Sequence, residues 1–148
     1  MLCAIRQCSL RLLLVVSALS LFVGCSRDPL AGRWERLGDD FAGTMVNVQR
    51  SGSGLSARLV KIPPSLKARG FVPCDVKWRN LTLVSDSEGV RTYKGQDLGK
   101  FQVKDSTGRL EIRYSEFKLL VKADTAWARV FQNELDVTGL AQIWRKVR

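Results

Sequence analysis

The chain has 148 residues, with 24 lysines and arginines against 14 acids, a formal net charge of +10 and no histidine. That length suits one domain with enough chain to bury a core. The missing histidine excludes Ser-His and Cys-His nucleophile pairs and any Cys/His metal site.

The first element in chain order is a leader. Arg6 and Arg11 give it a positive head without an acid, and Leu12 to Val23 is an apolar run interrupted only by Ser17 and Ser20. A helix needs about 20 residues to cross the hydrocarbon core, so this run is too short to span. It matches the apolar region of a cleaved secretory signal; an uncleaved anchor and a buried helix are the competing readings. The run closes on Leu21-Phe22-Val23-Gly24-Cys25-Ser26, which resembles the lipobox of bacterial lipoproteins. Val23 and Gly24 fit that pattern, whereas Phe22 stands where the family usually has Leu. The resemblance implies that residues 1–24 are removed, that Cys25 becomes a lipidated first residue, and that 25–31 is a tether. Residues 32–148 then form the domain. In the family, Ser26 in place of Asp favours the outer membrane over the inner. Each CH₂ buried in the bilayer contributes about 0.8 kcal/mol, so the two or three chains implied at Cys25 would hold the protein permanently.

Without the leader, 22 basic residues face 14 acids, a net charge of +8. Cys3 and Cys8 leave with it, and lipid on Cys25 leaves Cys74 with no cysteine to pair with in the chain.

Short strand patterns fill the rest. Gly32–Leu37 reads as a first strand, ended by Gly38-Asp39-Asp40. In 41–50, Thr44, Val46 and Val48 share one face; a Ser51–Gly54 turn leads to a strand with Leu55, Ala57 and Leu59 together. Pro63, Pro64, Gly70 and Pro73 make 63–73 a loop, with one helical turn at Ser65–Ala68. Asp75–Val84 resumes strand character before a turn over Ser85–Gly89. Val90–Lys94 is a strand, Gly95–Gly99 a loop, Phe101–Lys104 a strand and Asp105–Gly108 a turn. Arg109–Tyr114 alternates, with Leu110, Ile112 and Tyr114 on one side. Residues 117–131 read as two strands around Lys122–Thr125 or as part of a helix. Asn133–Gly139 is a turn and Leu140–Arg148 a last strand. Eight to ten short strands separated by turns predict an all-β fold, a small antiparallel barrel, with a β-sandwich or an α+β fold as alternatives.

The two ends of this domain carry a further pattern. Gly32-Arg33-Trp34 opens the first strand and Trp144-Arg145-Lys146-Val147-Arg148 closes the last. The pairing resembles calycin (lipocalin-like) barrels, in which a Gly-x-Trp near the N-terminus packs under a basic side chain from the far end. It implies that Trp34 and Trp144 are structural and that an arginine, Arg145 or Arg148, caps the barrel floor through cation–π attraction. Two ordinary strands with core tryptophans are the competing reading.

Catalytic chemistry finds little support. Cys74, in Pro73-Cys74-Asp75, reads either as a thiol activated by Lys77 and Arg79 or as a small buried apolar residue. Asp39-Asp40 and Asp86-Ser87-Glu88 are acids in turns without calcium-loop spacing. Gly52-Ser53-Gly54 lacks the Lys-Ser/Thr of a phosphate loop. The expectation is a non-enzyme without cofactor or metal. Between Arg58 and Arg79, six basic residues face the single acid Asp75. Either they are solvated surface, or Lys67, Arg69, Phe71, Lys77 and Arg79 form a contact surface for an anionic ligand. An exported lipoprotein would meet anionic lipid, lipopolysaccharide or acidic polymers, and not nucleic acid. Three functions are therefore expected in competition: a binding or structural lipoprotein of the envelope whose barrel holds an apolar or anionic ligand, an accessory or inhibitor of another envelope protein, and an enzyme using carboxylates or Cys74.

Overall fold

A computed structural model describes residues 28–102, 107–132, 135–136 and 140–148. Its strands are β1 (Gly32–Leu37), β2 (Met45–Ser51), β3 (Gly54–Lys61), β4 (Val76–Ser87), β5 (Val90–Gln102), β6 (Leu110–Lys122), β7 (Thr125–Gln132), β8 (Leu135–Asp136) and β9 (Gln142–Val147). One short helix, α1 (Pro64–Lys67), lies between β3 and β4. Strands β1 to β7 pair antiparallel in sequence order. β9 then bonds to β7 on one side and to β1 on the other, with Ala126↔Trp144 and Arg36↔Trp144 in register. Eight strands thus close a barrel, and β8 pairs only with the end of β7. The predicted all-β barrel is what forms. Residues 117–131 are strand throughout, apart from the turn between β6 and β7, so neither the helix nor the sandwich occurs.

The period of two explains the pattern. Trp34, Val46, Val48, Leu55, Ala57, Leu59, Leu119, Ala126 and Ala128 are buried at alternate positions. Trp78, Tyr93, Phe117 and Trp144 complete the interior, where Trp78 stacks on Phe117 at 5.1 Å and meets Trp144 edge-on at 4.8 Å. Arg58, Lys94, Lys118, Arg129 and Arg145 occupy outward positions. Apolar inside and charged outside is the reverse of a membrane-spanning barrel.

Two predicted interruptions fall inside strands. Ser85–Ser87 continues β4, and Gly95–Gly99 lies within β5, which is one strand of 13 residues. Gly95 serves close approach rather than a turn. A Cβ there would stand 2.8 Å from the Arg79 carbonyl oxygen and 2.9 Å from Leu81 Cδ2. β4 carries an extra residue at this point, between Arg79↔Gln96 and Thr82↔Lys94, with Asn80 at φ 54°. Bulges of this kind bend a strand and re-aim its side chains.

Antiparallel order sorts the connections to two ends. The N-terminal end holds residues 28–31, the turns after β2, β4 and β6, and the end of β9. The opposite end holds the β1–β2 connection and the long connection 62–75.

Candidate functional site

Connection 62–75 plugs the end of the barrel opposite the N-terminus. The helical turn α1 occurs where Pro64 supplies a ready first position, and Leu66 and Phe71 point in, 4% and 6% exposed. Backbone bonds tie the connection's end to β3: Cys74 N donates to Leu59 O at 2.9 Å, and Leu59 N to Asp75 O at 2.9 Å. Ser65 Oγ donates to Asp40 O at 2.7 Å, joining the plug to the β1–β2 connection. Lys100 Nζ completes the tie, 2.7 Å from Asp75 Oδ2 and donating to Gly70 O at 3.0 Å.

Under the plug lies a buried ion pair. Lys77 Nζ stands 2.7 Å from both carboxylate oxygens of Asp97 and donates to Leu98 O at 2.7 Å. The register explains why a lysine points inward. Ala57 faces Trp78 while Arg58 faces Val76, so Lys77 is the extra residue of a bulge and turns to the side of Trp78. Burial pushes the Asp97 carboxyl up from its ordinary value, and the Lys77 charge only partly opposes that. Burial likewise lowers the Lys77 ammonium, against the attraction of Asp97. Both charges are thus held together at a desolvation cost.

A ladder of cations and rings runs from this end into the core. The Arg69 guanidinium lies 4.6 Å from the Phe41 ring centre, and Arg36 lies 5.0 Å from the same ring. Arg36 also stands 5.9 Å from the Trp144 ring, with Asp39 taking its Nε and Nη2 donors at 2.6 to 3.1 Å. Beside the plug, Ala68, Arg69, Lys100, Phe101 and Gln102 line an open depression of ≈ 250 Å³.

The five residues expected to form a contact surface divide. Lys67 and Arg69 are exposed, as a contact surface requires. Phe71 and Lys77 are not surface residues: the plug buries Phe71, 5.5 Å from Lys77 Nζ and 5.4 Å from Lys100 Nζ, and the bulge buries Lys77. Arg79 is half-buried on the outer face, its guanidinium 3.5 Å over the Tyr114 ring and its Nε donating to Gln96 Oε1 at 2.7 Å. Cys74 is exposed, so it is not a small core residue. Neither Lys77 nor Arg79 turns towards its thiol; its carbonyl accepts from Arg58 Nη1 at 3.1 Å.

Trp34 and Trp144 are both fully buried, Trp34 at the N-terminal end and Trp144 farther along the barrel against Trp78. The cation over Trp34 is Lys146, 5.5 Å from the ring centre, and not Arg145 or Arg148. Arg145 points outward to Glu35 at 3.4 Å, and Arg148 pairs with Asp124 at 2.8 Å. Parity explains the correction, since Trp144 facing inward turns Lys146 inward and Arg145 out. Gly32, beside this lysine, has φ +122°, a conformation that side chains rarely adopt; a Cβ there would only touch Lys146 Cε at 3.4 Å. Trp34 Nε1 donates to Leu30 O at 2.8 Å, Lys146 Nζ to Pro29 O, and Tyr93 Oη to Asp28 Oδ1 at 2.8 Å. The segment just before β1 is therefore bound to the barrel floor. Cys25 and the leader lie outside the described residues, as do parts of the predicted turns at 105–108 and 133–139.

Sequence reasoning missed Arg36, Asp97, Lys100 and Lys146. For Asp97 a signal existed, because Tyr93, Gly95 and Asp97 alternate in phase. No residues among those described form a cluster suited to a metal ion. In comparisons with known proteins, no family model, curated protein or solved structure matches the chain.

Proposed function

We propose that the protein is a lipid-anchored lipoprotein of the bacterial envelope, at the outer membrane, whose barrel is a non-catalytic binding or structural module. The observation that carries this reading is where the chain meets the barrel. Asp28 to Leu30 are fastened to the floor through Tyr93, Lys146 and Trp34, only three residues after the proposed lipid carrier Cys25. Three extended residues reach about 11 Å at most. A lipid on Cys25 therefore holds the N-terminal end against the bilayer and turns the plugged end, with Lys67 and Arg69, away from it. This geometry argues against the basic loop as the part that touches the anchoring membrane.

Recognition on the surface is favoured over an apolar ligand held inside. Three tryptophans, Tyr93 and Phe117 occupy the interior, and the plug covers one mouth. The plugged end then suits an anionic ligand or an acidic partner in the envelope space. The test is labelling with radioactive palmitate in a bacterial host. Wild-type chain should take up label and be shortened; Cys25→Ala should remain unlabelled and unprocessed. Label in the variant, or none in the wild type, overturns the anchor. Native mass spectrometry of protein extracted from envelopes then reads what remains bound to the barrel.

A further inference from the structure

The outer wall of β6, β7 and β9 carries an apolar row that the core does not use. Leu120, Trp127 and Ile143 stand directly opposite one another on adjacent strands, 38%, 37% and 40% exposed. Leu37 of β1 extends the row beyond Ile143. Alongside it runs a row of cations: Lys94 faces Lys118, and Lys118 faces Arg129, all three exposed. Like charges directly opposite in a sheet destabilise it. Lys94 has no ion-pair partner among the described residues, and Lys118 rests its ammonium 4.9 Å from the Phe131 ring.

We propose that this wall docks on an anionic lipid bilayer, with Trp127 and its apolar neighbours in the interface and the cation row on the headgroup phosphates. Two observations favour lipid over an acidic protein. A tryptophan beside aliphatic side chains, flanked by cations, has the chemistry of an interfacial anchor, with an apolar body below and positive charge at the headgroup level. Trp127 also lies two residues from the start of β7, at the end where the chain joins the barrel; Lys146 N donates to Asp124 O in the adjoining turn at 2.8 Å. The placement next to a membrane rests on the envelope reading above, whereas the affinity of the wall for lipid does not.

The test uses the chain from Ser26 onward, since every strand of the closed barrel lies in 32–147. Trp34, Trp78 and Trp144 are fully buried, so a change in tryptophan emission on adding vesicles reports Trp127. Phosphatidylcholine vesicles containing phosphatidylglycerol should shift the emission to the blue, and lipids brominated on the acyl chain should quench it. High salt should release the protein, and pure phosphatidylcholine should leave the emission unchanged. Each cation near such a surface is worth roughly fivefold in partitioning, so Lys94→Gln and Lys118→Gln together should weaken binding on the order of 30-fold. Trp127→Phe should remove the shift while sedimentation with anionic vesicles persists. Absence of quenching in the wild type overturns the proposal without any variant. So does equal binding to neutral vesicles, or binding to polyglutamate in place of vesicles. If vesicles fail to bind while palmitate still enters Cys25, the wall is wrong and the anchor stands. Vesicle binding without palmitate uptake leaves the wall and removes the anchor.

Discussion

At the N-terminal end, the barrel floor is built from two aromatic side chains, Trp34 and Tyr93, and groups that need little desolvation. Trp34 is fully buried, its indole N–H satisfied by Leu30, and the Lys146 ammonium, 5.5 Å from the ring centre, reaches a backbone carbonyl. At the plugged end, by contrast, two full charges, Lys77 and Asp97, are buried beneath a loop that contributes Phe71. The first end gains by covering apolar surface. The second bears the cost of removing two ions from water, and its ion pair fixes how the plug's floor is arranged. Apolar closure degrades in proportion to what is removed; ionic closure fails abruptly when one partner goes.

That difference predicts opposite responses to substitution. Trp34→Ala should cost about 3–5 kcal/mol in urea unfolding, as for other buried large aromatics, and no second change nearby should restore it. Asp97→Ala should cost a similar amount, about 3–5 kcal/mol, because it strands the Lys77 ammonium. Here a second change does restore stability. Lys77→Met with Asp97→Leu should return the barrel to within about 1 kcal/mol of the wild type or make it more stable, since the desolvation cost disappears with the charges. A double variant as unstable as Asp97→Ala alone would mean that Lys77 and Asp97 do not act as a pair.

The two ends also differed in how far they could be read in advance. The floor was visible because Gly32 and Trp34 stand at fixed spacing and the last strand repeats a tryptophan-plus-cation pattern. Its one error, an arginine in place of Lys146, came from the family resemblance; the period of two places Lys146 beside Trp144 on the inner face. The plugged end was hidden for a physical reason. Whether Lys77 points in or out depends on one extra residue in β4 relative to β3, and register between strands distant in sequence leaves no local pattern. Asp97 was obscured by Gly95 and Gly99, which punctuate a sequence like a loop yet here admit a neighbouring backbone and the Phe101 ring. The prolines of 63–73 correctly removed that segment from the sheet, but they carry no information on which side chain it buries.

A smaller effect separates the ends by pH. Burial, and then the hydrogen bond to Asp28, push the Tyr93 phenol above its ordinary value of 10.0. The folded chain keeps this proton at a pH where the unfolded chain gives it up. The associated stability is whole below about pH 10 and falls as pH rises further. Tyr93→Phe should lose about 1 kcal/mol at neutral pH, the worth of one hydrogen bond, and decline less steeply than wild type above pH 10. Parallel curves for the two proteins in that range would remove Tyr93 as the source.

The smallest effect identifies the cation that caps the floor. Lys146, Arg145 and Arg148 follow one another within five residues of the C-terminus, and composition alone does not distinguish them. Lys146 Nζ lies 5.5 Å from the Trp34 ring centre, while Arg145 pairs with Glu35 and Arg148 with Asp124. A cation over an aromatic face is worth about 0.5–1 kcal/mol where it remains partly solvated. In a double-mutant cycle, Trp34→Leu with Lys146→Met should therefore couple by about 0.5–1 kcal/mol. Leucine keeps the site filled, and methionine keeps most of the stem that packs beside Gly32, so the cycle reads the charge over the ring. Trp34→Leu with Arg145→Met should add to within about 0.3 kcal/mol, because strand alternation puts Arg145 on the outer wall. Coupling to Arg145 with none to Lys146 would reverse the inward and outward faces of β9.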